Sequence, residues 1–158
     1  GQKADPLYFY TCNVSVKKAL LDQGGWFDES FPFASHEDLE LGYRLVAQGM
    51  KLIYEPRAAG SHFHELTIQG VTRRIYLMGY SAEIFWQKVG DRGGRLRQTL
   101  RNMISRTSST PPGVALWQML AQKRYDENKQ YQKQWHALLA LSFFIGLSDS
   151  KRGKAPRV

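Results

Sequence analysis

The hydrophobic pattern changes near residue 66, and this change constrains the fold more than any other feature of the chain. Before it, short strand-like and helix-like pieces alternate, as they do in an α/β layer. After it, apolar residues such as Val71 and Ile75 recur every three or four positions, which is the spacing of one helix face. The pattern therefore predicts an α/β part over residues 1–66, followed by a mainly α-helical part over 67–158 with a linker near 107–113.

Four segments of the first part have sequence patterns typical of strands or helices. Residues 7–10 and 51–55 are predicted to be strands, the second of them ended by a proline. Residues 16–22 and 37–48 are predicted to be helices, each followed by glycine. This alternation favours the α/β fold class for the first part.

In the second part, helical spacing predicts a first long helix and further helices over 95–104 and 113–147. The predicted inward face of the first helix consists of Val71, Ile75, Met78, Ala82, Phe85 and Val89. The longest apolar run, residues 137–147, is shorter than the roughly 18 residues that a bilayer span needs. It fits either a core helix or a helix at a membrane interface.

The net charge of +8 is divided unevenly between the two parts. Residues 1–66 carry six Lys or Arg against nine Asp or Glu, a net charge of −3, whereas residues 67–158 carry sixteen against five, a net charge of +11. This asymmetry favours an anionic partner for the second part, with solvated helix faces as the alternative. We expect an anionic membrane surface or a lipid diphosphate and no nucleic acid, because no nucleic-acid-binding motif is found in the sequence.

The single cysteine, Cys12, cannot form an internal disulfide, which fits a reducing compartment and predicts a cytoplasmic location. Its neighbours Thr11 and Asn13 offer no basic group that would activate a thiolate, so we predict a small buried side chain. The first residues contain neither a signal peptide nor an initiating methionine, and we expect the chain to begin within a longer protein.

Two pairs of residues have the chemistry of a functional site. Glu37 and Asp38 open a predicted helix, where free N–H groups and the helix dipole stabilise a carboxylate that could accept a proton. Ordinary helix capping is the alternative. His62 and His64 alternate after the second predicted strand and could bind a transition metal, with a surface loop as the alternative. A metal-dependent hydrolase that also uses His36 near Asp38 is a further alternative.

These residues belong to a longer series of motifs in a fixed order. The series is Asn13, Gly24-Gly25-Trp26-Phe27-Asp28-Glu29, Glu37-Asp38-Leu39-Glu40-Leu41-Gly42-Tyr43-Arg44-Leu45, Gly49, Tyr54-Glu55-Pro56-Arg57-Ala58 and His62. It resembles the C-terminal half of the catalytic domain of family 2 glycosyltransferases, which have the GT-A fold. The resemblance covers about residues 7–66 and implies a partial GT-A architecture there.

The resemblance also implies roles for individual residues. Asp38 matches the general base that deprotonates the acceptor hydroxyl, and Glu37 matches its partner, which positions the acceptor or the base. His62 matches a ligand of the divalent ion, Mn²⁺ or Mg²⁺, that holds the donor diphosphate, with His64 as the second choice. Substrate contacts are implied for Asn13, Trp26, Phe27 and Arg44. Of these, Arg44 either approaches the diphosphate or pairs with Glu40 on the same helix.

The implied reaction is inverting transfer of a sugar from a nucleotide-diphosphate sugar to a hydroxyl of a saccharide or lipid-linked acceptor. The chain contains no Asp-x-Asp metal motif, so we expect this stretch alone to be inactive and to expose surfaces that favour self-association. The alternative is a non-catalytic basic helical module that docks on a membrane surface or a partner protein. Both functions are compatible with a peripheral position at the inner face of the membrane.

Overall fold

The computed structural model describes residues 1–63, 67–90, 94–122 and 132–157. The chain divides into two compact units, Gly1–His64 (unit 1) and Glu65–Val158 (unit 2). The division lies beside the change of hydrophobic pattern near residue 66.

Unit 1 combines a short antiparallel ribbon with two helices and two 3-10 turns. In the ribbon, Gln2 pairs with Tyr54 and Lys3 pairs with Ile53. The elements of unit 1 are β1 (Gln2–Lys3), 3-10 turns at Pro6–Tyr8 and Thr11–Asn13, α1 (Lys18–Gly24), α2 (Glu37–Ala47) and β2 (Ile53–Tyr54). The α/β class and the partial GT-A architecture stay predictions, because two strands of two residues do not identify a sheet topology.

The core of unit 1 forms where the first 3-10 turn packs on α2. Phe9, Leu41 and Leu45 are buried against one another, and partly buried aliphatic side chains surround them. Gly42 permits this close approach, since a Cβ at that position would lie 2.5 Å from the Phe9 Cβ and 3.2 Å from the carbonyl oxygen of Pro6. The core therefore fixes α2, whose first turn carries the predicted catalytic residues.

Three local predictions for unit 1 need correction. The strand predicted over 7–10 is wrong: Asp5 caps a 3-10 turn there by accepting a hydrogen bond from the Leu7 N–H, with proline at the first position. The prediction that Cys12 is buried is also wrong, because the second 3-10 turn lies at the surface and exposes the thiol. The ribbon strand β2 is shorter than predicted. Helix α2 is confirmed to within one residue.

The described residues of unit 2 form helices joined by short connections and followed by a non-helical tail over residues 152–157. Its helices are α3 (Ile68–Val89), α4 (Gly94–Ser108), α5 (Pro111–Gln122) and α6 (Gln132–Lys151). Thr67 caps α3, since its hydroxyl accepts a hydrogen bond from the Gly70 N–H. The linker predicted near 107–113 is shorter, because only Ser109 and Thr110 separate α4 from α5.

Helices α3 and α6 cross at very close range through two glycines. A Cβ at Gly79 would lie 1.9 Å from the carbonyl oxygen of Phe143, and one at Gly146 would lie 2.0 Å from that of Tyr76. The apolar run 137–147 lies within α6, and Leu138, Ile145 and Leu147 are among its buried residues. The run is therefore a core helix. Among the described residues, we find no helix with the length and apolar content to cross a bilayer.

The end of the chain is fastened to a buried carboxylate of α6. Asp149 accepts hydrogen bonds from the Tyr76 hydroxyl (3.1 Å) and from Nε of Arg157 (2.7 Å). The backbone N–H of Arg157 donates to the Tyr76 oxygen at 2.9 Å. Burial, with the nearby Asp149 charge as a lesser cause, raises the pKa of Tyr76 to about 12. The tail thus closes a hydrogen-bonded cluster over one end of the α3–α6 pair.

Candidate functional site

Asp38 lies in the first turn of α2, where Glu37 and Glu40 add further negative charge. One carboxylate oxygen, Oδ1, accepts a hydrogen bond from the Leu39 N–H at 2.8 Å, and Oδ2 accepts one from the Thr11 N–H at 3.4 Å. The arrangement holds Asp38 in one orientation, as a proton acceptor requires.

Glu37, beside it, is in a less favourable environment. Its Oε2 is buried and makes no hydrogen bond with the described residues. Burial raises the pKa of Glu37 from its usual value, and the charge of Asp38 adds to this, although backbone hydrogen bonds to Glu37 oppose it. The two neighbouring carboxyl groups therefore differ chemically, with Glu37 biased toward its neutral form.

His36 precedes α2 in a left-handed conformation, with φ of 69°. It is the one non-glycine residue with positive φ in the described ranges. Its ring nitrogen Nδ1 lies 2.9 Å from the Ser35 hydroxyl. Burial lowers the pKa of His36, while the negative charge of Asp38 acts in the opposite direction. A residue that is strained in this way beside two carboxyl groups marks this helix start as a candidate site.

The 3-10 turn Thr11–Asn13 connects α2 with the segment that follows β2. Thr11 contacts Asp38, and the Asn13 side chain donates a hydrogen bond from Nδ2 to the Ala58 carbonyl oxygen at 2.7 Å. The segment after Ala58 leads to His62, which is exposed. The structure therefore assigns Asn13 a contact that anchors this segment. Its predicted substrate contact stays a prediction.

Trp26 and Phe27 lie in the turn between α1 and α2, and each has about half of its surface exposed. The Lys18 ammonium lies 6.0 Å from the centre of the Trp26 ring, at the outer limit of a cation–π contact. Exposed aromatic rings can stack on a sugar ring. The predicted role of Trp26 and Phe27 in a pocket wall stays a prediction.

Arg44 makes the pairing with Glu40 that the sequence offered as one alternative. Its Nε and Nη2 donate to the Glu40 carboxylate at 2.9 and 3.0 Å, and its Nη2 also donates to the Trp26 carbonyl oxygen at 2.7 Å. A further short contact joins Nη1 to the carbonyl oxygen of Gly24. The hydrogen bond to Glu40 is the main cause that raises the pKa of Arg44. Arg44 thus fastens the turn that bears Trp26 onto α2.

The described residues contain no group of three His, Cys, Asp or Glu side chains that could hold a metal ion. His62 therefore has no set of fellow ligands in this part of the chain, and His64 lies outside the described residues. The described residues therefore offer no metal centre for the alternative of a metal-dependent hydrolase. The sequence analysis did not predict the hydrogen bond from Thr11 to Asp38 or the contact between His36 and Ser35. The Thr11 contact joins segments 27 residues apart, and no local pattern predicts it.

Comparisons with known proteins point in one direction. Over 45 residues, 28% of this chain, the sequence is 47% identical to chondroitin synthase of Pasteurella multocida, of which this covers 5%. Over 46 residues it is 48% identical to validoxylamine A glucosyltransferase of Streptomyces hygroscopicus subsp. jinggangensis, of which this covers 11%, and to that of subsp. limoneus. No family model and no solved structure matches. The chain is thus related to glycosyltransferases through a short stretch and spans only a small fraction of these relatives.

Proposed function

We propose that unit 1 provides the acceptor side and the catalytic base of an inverting glycosyltransferase of family 2, with a GT-A architecture in the complete protein. The observation that carries this proposal is the placement of Asp38, which is fixed at the start of α2 by two backbone N–H groups. The local identity to two kinds of glycosyltransferase supports the reaction class. The non-catalytic alternative leaves the arrangement of Asp38 and Glu37 without a function.

In the proposed reaction, Asp38 accepts the proton of an acceptor hydroxyl while the hydroxyl oxygen forms a bond to the anomeric carbon. The bond from that carbon to the diphosphate oxygen breaks on the opposite face, which inverts the configuration. Because the Asp38 carboxylate is already held by N–H donors, little reorganisation accompanies proton transfer. Glu37, beside Asp38 in the first turn of the same helix, positions the acceptor through its carboxyl group.

The substrates in this proposal are a nucleotide-diphosphate sugar and a saccharide or lipid-linked acceptor. Trp26 and Phe27 offer their exposed rings to a sugar, and Arg44 acts by holding their turn on α2. The described residues do not by themselves fit a divalent ion. His62 therefore enters the proposal as a single ligand of Mn²⁺ or Mg²⁺ whose partners come from elsewhere in the protein, and no step above depends on the metal.

Replacement of Asp38 in the full-length protein tests the proposal. We expect Asp38→Asn to lower transfer, measured as nucleoside diphosphate released from a panel of nucleotide sugars, by about a hundredfold or more. Stability should change by less than about 1 kcal/mol, because asparagine also serves well at a helix start. Asp22→Asn, on the exposed surface of α1, is the matched control and should leave transfer unchanged. Activity of Asp38→Asn within about tenfold of wild type would refute the base assignment.

A further inference from the structure

Over residues 98–108, the part of helix α4 whose side chains are described, the large apolar side chains are exposed. Leu100, Met103 and Ile104 follow the spacing of one helix face, and 49%, 59% and 46% of their surfaces are exposed. Over the same residues 98–108, the buried positions are Ser105 and Ser108. A helix that packs on a protein core normally has the opposite arrangement, with its apolar stripe inward. The outward stripe is therefore available to a partner.

Helix α5, which is separated from α4 by two residues, also exposes large apolar side chains. Leu116 and Met119 lie one turn apart and are 44% and 52% exposed. We refer to Leu100, Met103, Ile104, Leu116 and Met119 together as the α4–α5 apolar residues. Five large apolar side chains exposed on two consecutive helices exceed the scattered apolar residues that are ordinary on a protein surface.

The charge of unit 2 identifies the kind of partner. Residues 67–158 carry a net charge of +11, and Arg106 is exposed on the same helix as the α4 stripe. Basic helices with an exposed apolar face bind the interface of anionic bilayers, where apolar side chains enter the acyl boundary and cations meet lipid phosphates. A second copy bound through the same surface would bring two strongly positive units together, which like-charge repulsion opposes.

We propose that the α4–α5 apolar residues dock unit 2 on an anionic phospholipid surface. The apolar side chains enter the boundary between headgroups and acyl chains, the exposed Arg106 of α4 binds a lipid phosphate, and the net charge of +11 over residues 67–158 attracts the unit to the surface. This attachment is separate from the proposed transfer reaction, because it uses residues of unit 2 alone and can be measured without a sugar donor or an acceptor.

Vesicle binding by the 158-residue chain tests the proposal. The vesicles consist of phosphatidylcholine alone or of phosphatidylcholine mixed with phosphatidylglycerol. We expect binding to the anionic vesicles to be about tenfold tighter or more, and to weaken as salt screens the charges. The triple variant Leu100→Gln, Met103→Gln and Ile104→Gln keeps the charge and favours a helix. It should bind the anionic vesicles about tenfold more weakly than wild type.

A matched control separates this surface from apolar exposure in general. The triple variant Ile53→Gln, Tyr54→Gln and Phe63→Gln removes side chains of unit 1 that together are more exposed than the three of α4, and it should bind as wild type does. Circular dichroism establishes that both triple variants keep their helices. Three results would overturn the proposal: no binding of wild type to anionic vesicles, equal binding by the α4 variant, or a dimer that the α4 variant abolishes. Competition by free glycerol phosphate as strong as that by vesicles would also contradict insertion.

Insertion itself can be read from a fluorophore. With Cys12→Ser removing the single native thiol, an environment-sensitive label is attached through Met103→Cys or, as control, through Phe63→Cys. We expect a blue shift on anionic vesicles for the label at position 103 and none for the label at position 63. Equal shifts at both positions, or none at 103, would contradict docking through α4.

Discussion

The start of α2 contains two residues whose local arrangement costs free energy. His36 has the positive φ that favours glycine, a conformation that costs of order 1–3 kcal/mol for other residues. Glu37 buries a carboxylate oxygen without a hydrogen bond from the described residues, which also costs free energy. Such costs persist where the surrounding structure enforces them, and they are concentrated at functional sites. Their position beside Asp38 supports the proposed base.

Glu37→Gln tests the cost of the buried carboxylate. Because burial raises the folded-state pKa of Glu37, the folded state binds the proton more tightly than the unfolded state does. The stability that Glu37 gains from its protonated form is complete below the unfolded pKa of about 4.5 and is lost as pH rises through the folded value. We therefore expect Glu37→Gln to raise the melting temperature at pH 7, and the gain to shrink toward pH 4.

The control for this prediction is Glu29→Gln, an exposed acid in the turn before α2. It should change the melting temperature little at either pH. A gain for Glu37→Gln that is the same at pH 7 and pH 4 would contradict a buried, ionisable Glu37. It would point to a pH-independent cause.

Residue-scale prediction from the sequence succeeded where contacts were local. The pairing of Arg44 with Glu40 follows from their spacing of one helical turn, and the structure contains it. The bond from Thr11 to Asp38 and the bond from Asn13 to Ala58 join distant segments. They depend on how the 3-10 turns pack on α2, which hydrophobic periodicity does not encode.

At the scale of elements, α3 shows why an apolar stripe can miss the buried face. Ala82 and Phe85 of the predicted stripe are buried, whereas Val71 and Ile75 are only partly buried. The most buried positions also include Thr72, Tyr76, Gly79 and Ser81. The close crossing with α6 explains the difference, because helices that approach to backbone contact need small residues there rather than large apolar ones. Residue volume, more than hydrophobicity, determines that face.

Gly79→Ala tests the role of this crossing. The new Cβ would meet the Phe143 carbonyl group of α6 at 1.9 Å, and backbone atoms cannot move aside as a side chain can. We expect a loss of about 3 kcal/mol in the free energy of unfolding, despite the higher helix propensity of alanine. Urea denaturation followed by circular dichroism measures it.

The matched control is Ser81→Ala on the same helix. Ser81 is buried, and its hydroxyl has no hydrogen-bond partner among the described residues. Removing an unsatisfied buried hydroxyl should be neutral or should stabilise the protein by up to about 1 kcal/mol. A comparable loss of stability for both variants would mean that α3 tolerates no change on this face. It would contradict the explanation that Gly79 is needed for the close approach of α6.

At the scale of the whole molecule, the two units are built on different physical principles. Unit 1 has a small apolar core around Phe9 and devotes α2 to the candidate site. Unit 2 is a basic helical assembly whose main crossing relies on glycines and whose tail is fastened by the Asp149 cluster. Sequence periodicity predicted the helical second part, and the change of pattern near residue 66 lies beside the boundary between the two units. The tail contact could not be predicted, because it depends on a buried carboxylate in the last turns of α6.

Loss of the tail contact should destabilise unit 2 alone. Arg157→Ala removes the cation that pairs with the buried carboxylate of Asp149, and because the Arg157 side chain is 35% exposed we expect a loss of about 1–3 kcal/mol, less than for a fully buried pair. Helical circular dichroism, to which α3 and α6 contribute strongly, should therefore show a lower melting temperature. A fluorophore on Cys12, in unit 1, should report an unchanged transition. The exposed Arg152 provides the control, since Arg152→Ala should alter neither signal. An equal fall in both signals for Arg157→Ala would show that the two units unfold as one cooperative body, and an unchanged helical signal would show that the ion pair contributes nothing to stability.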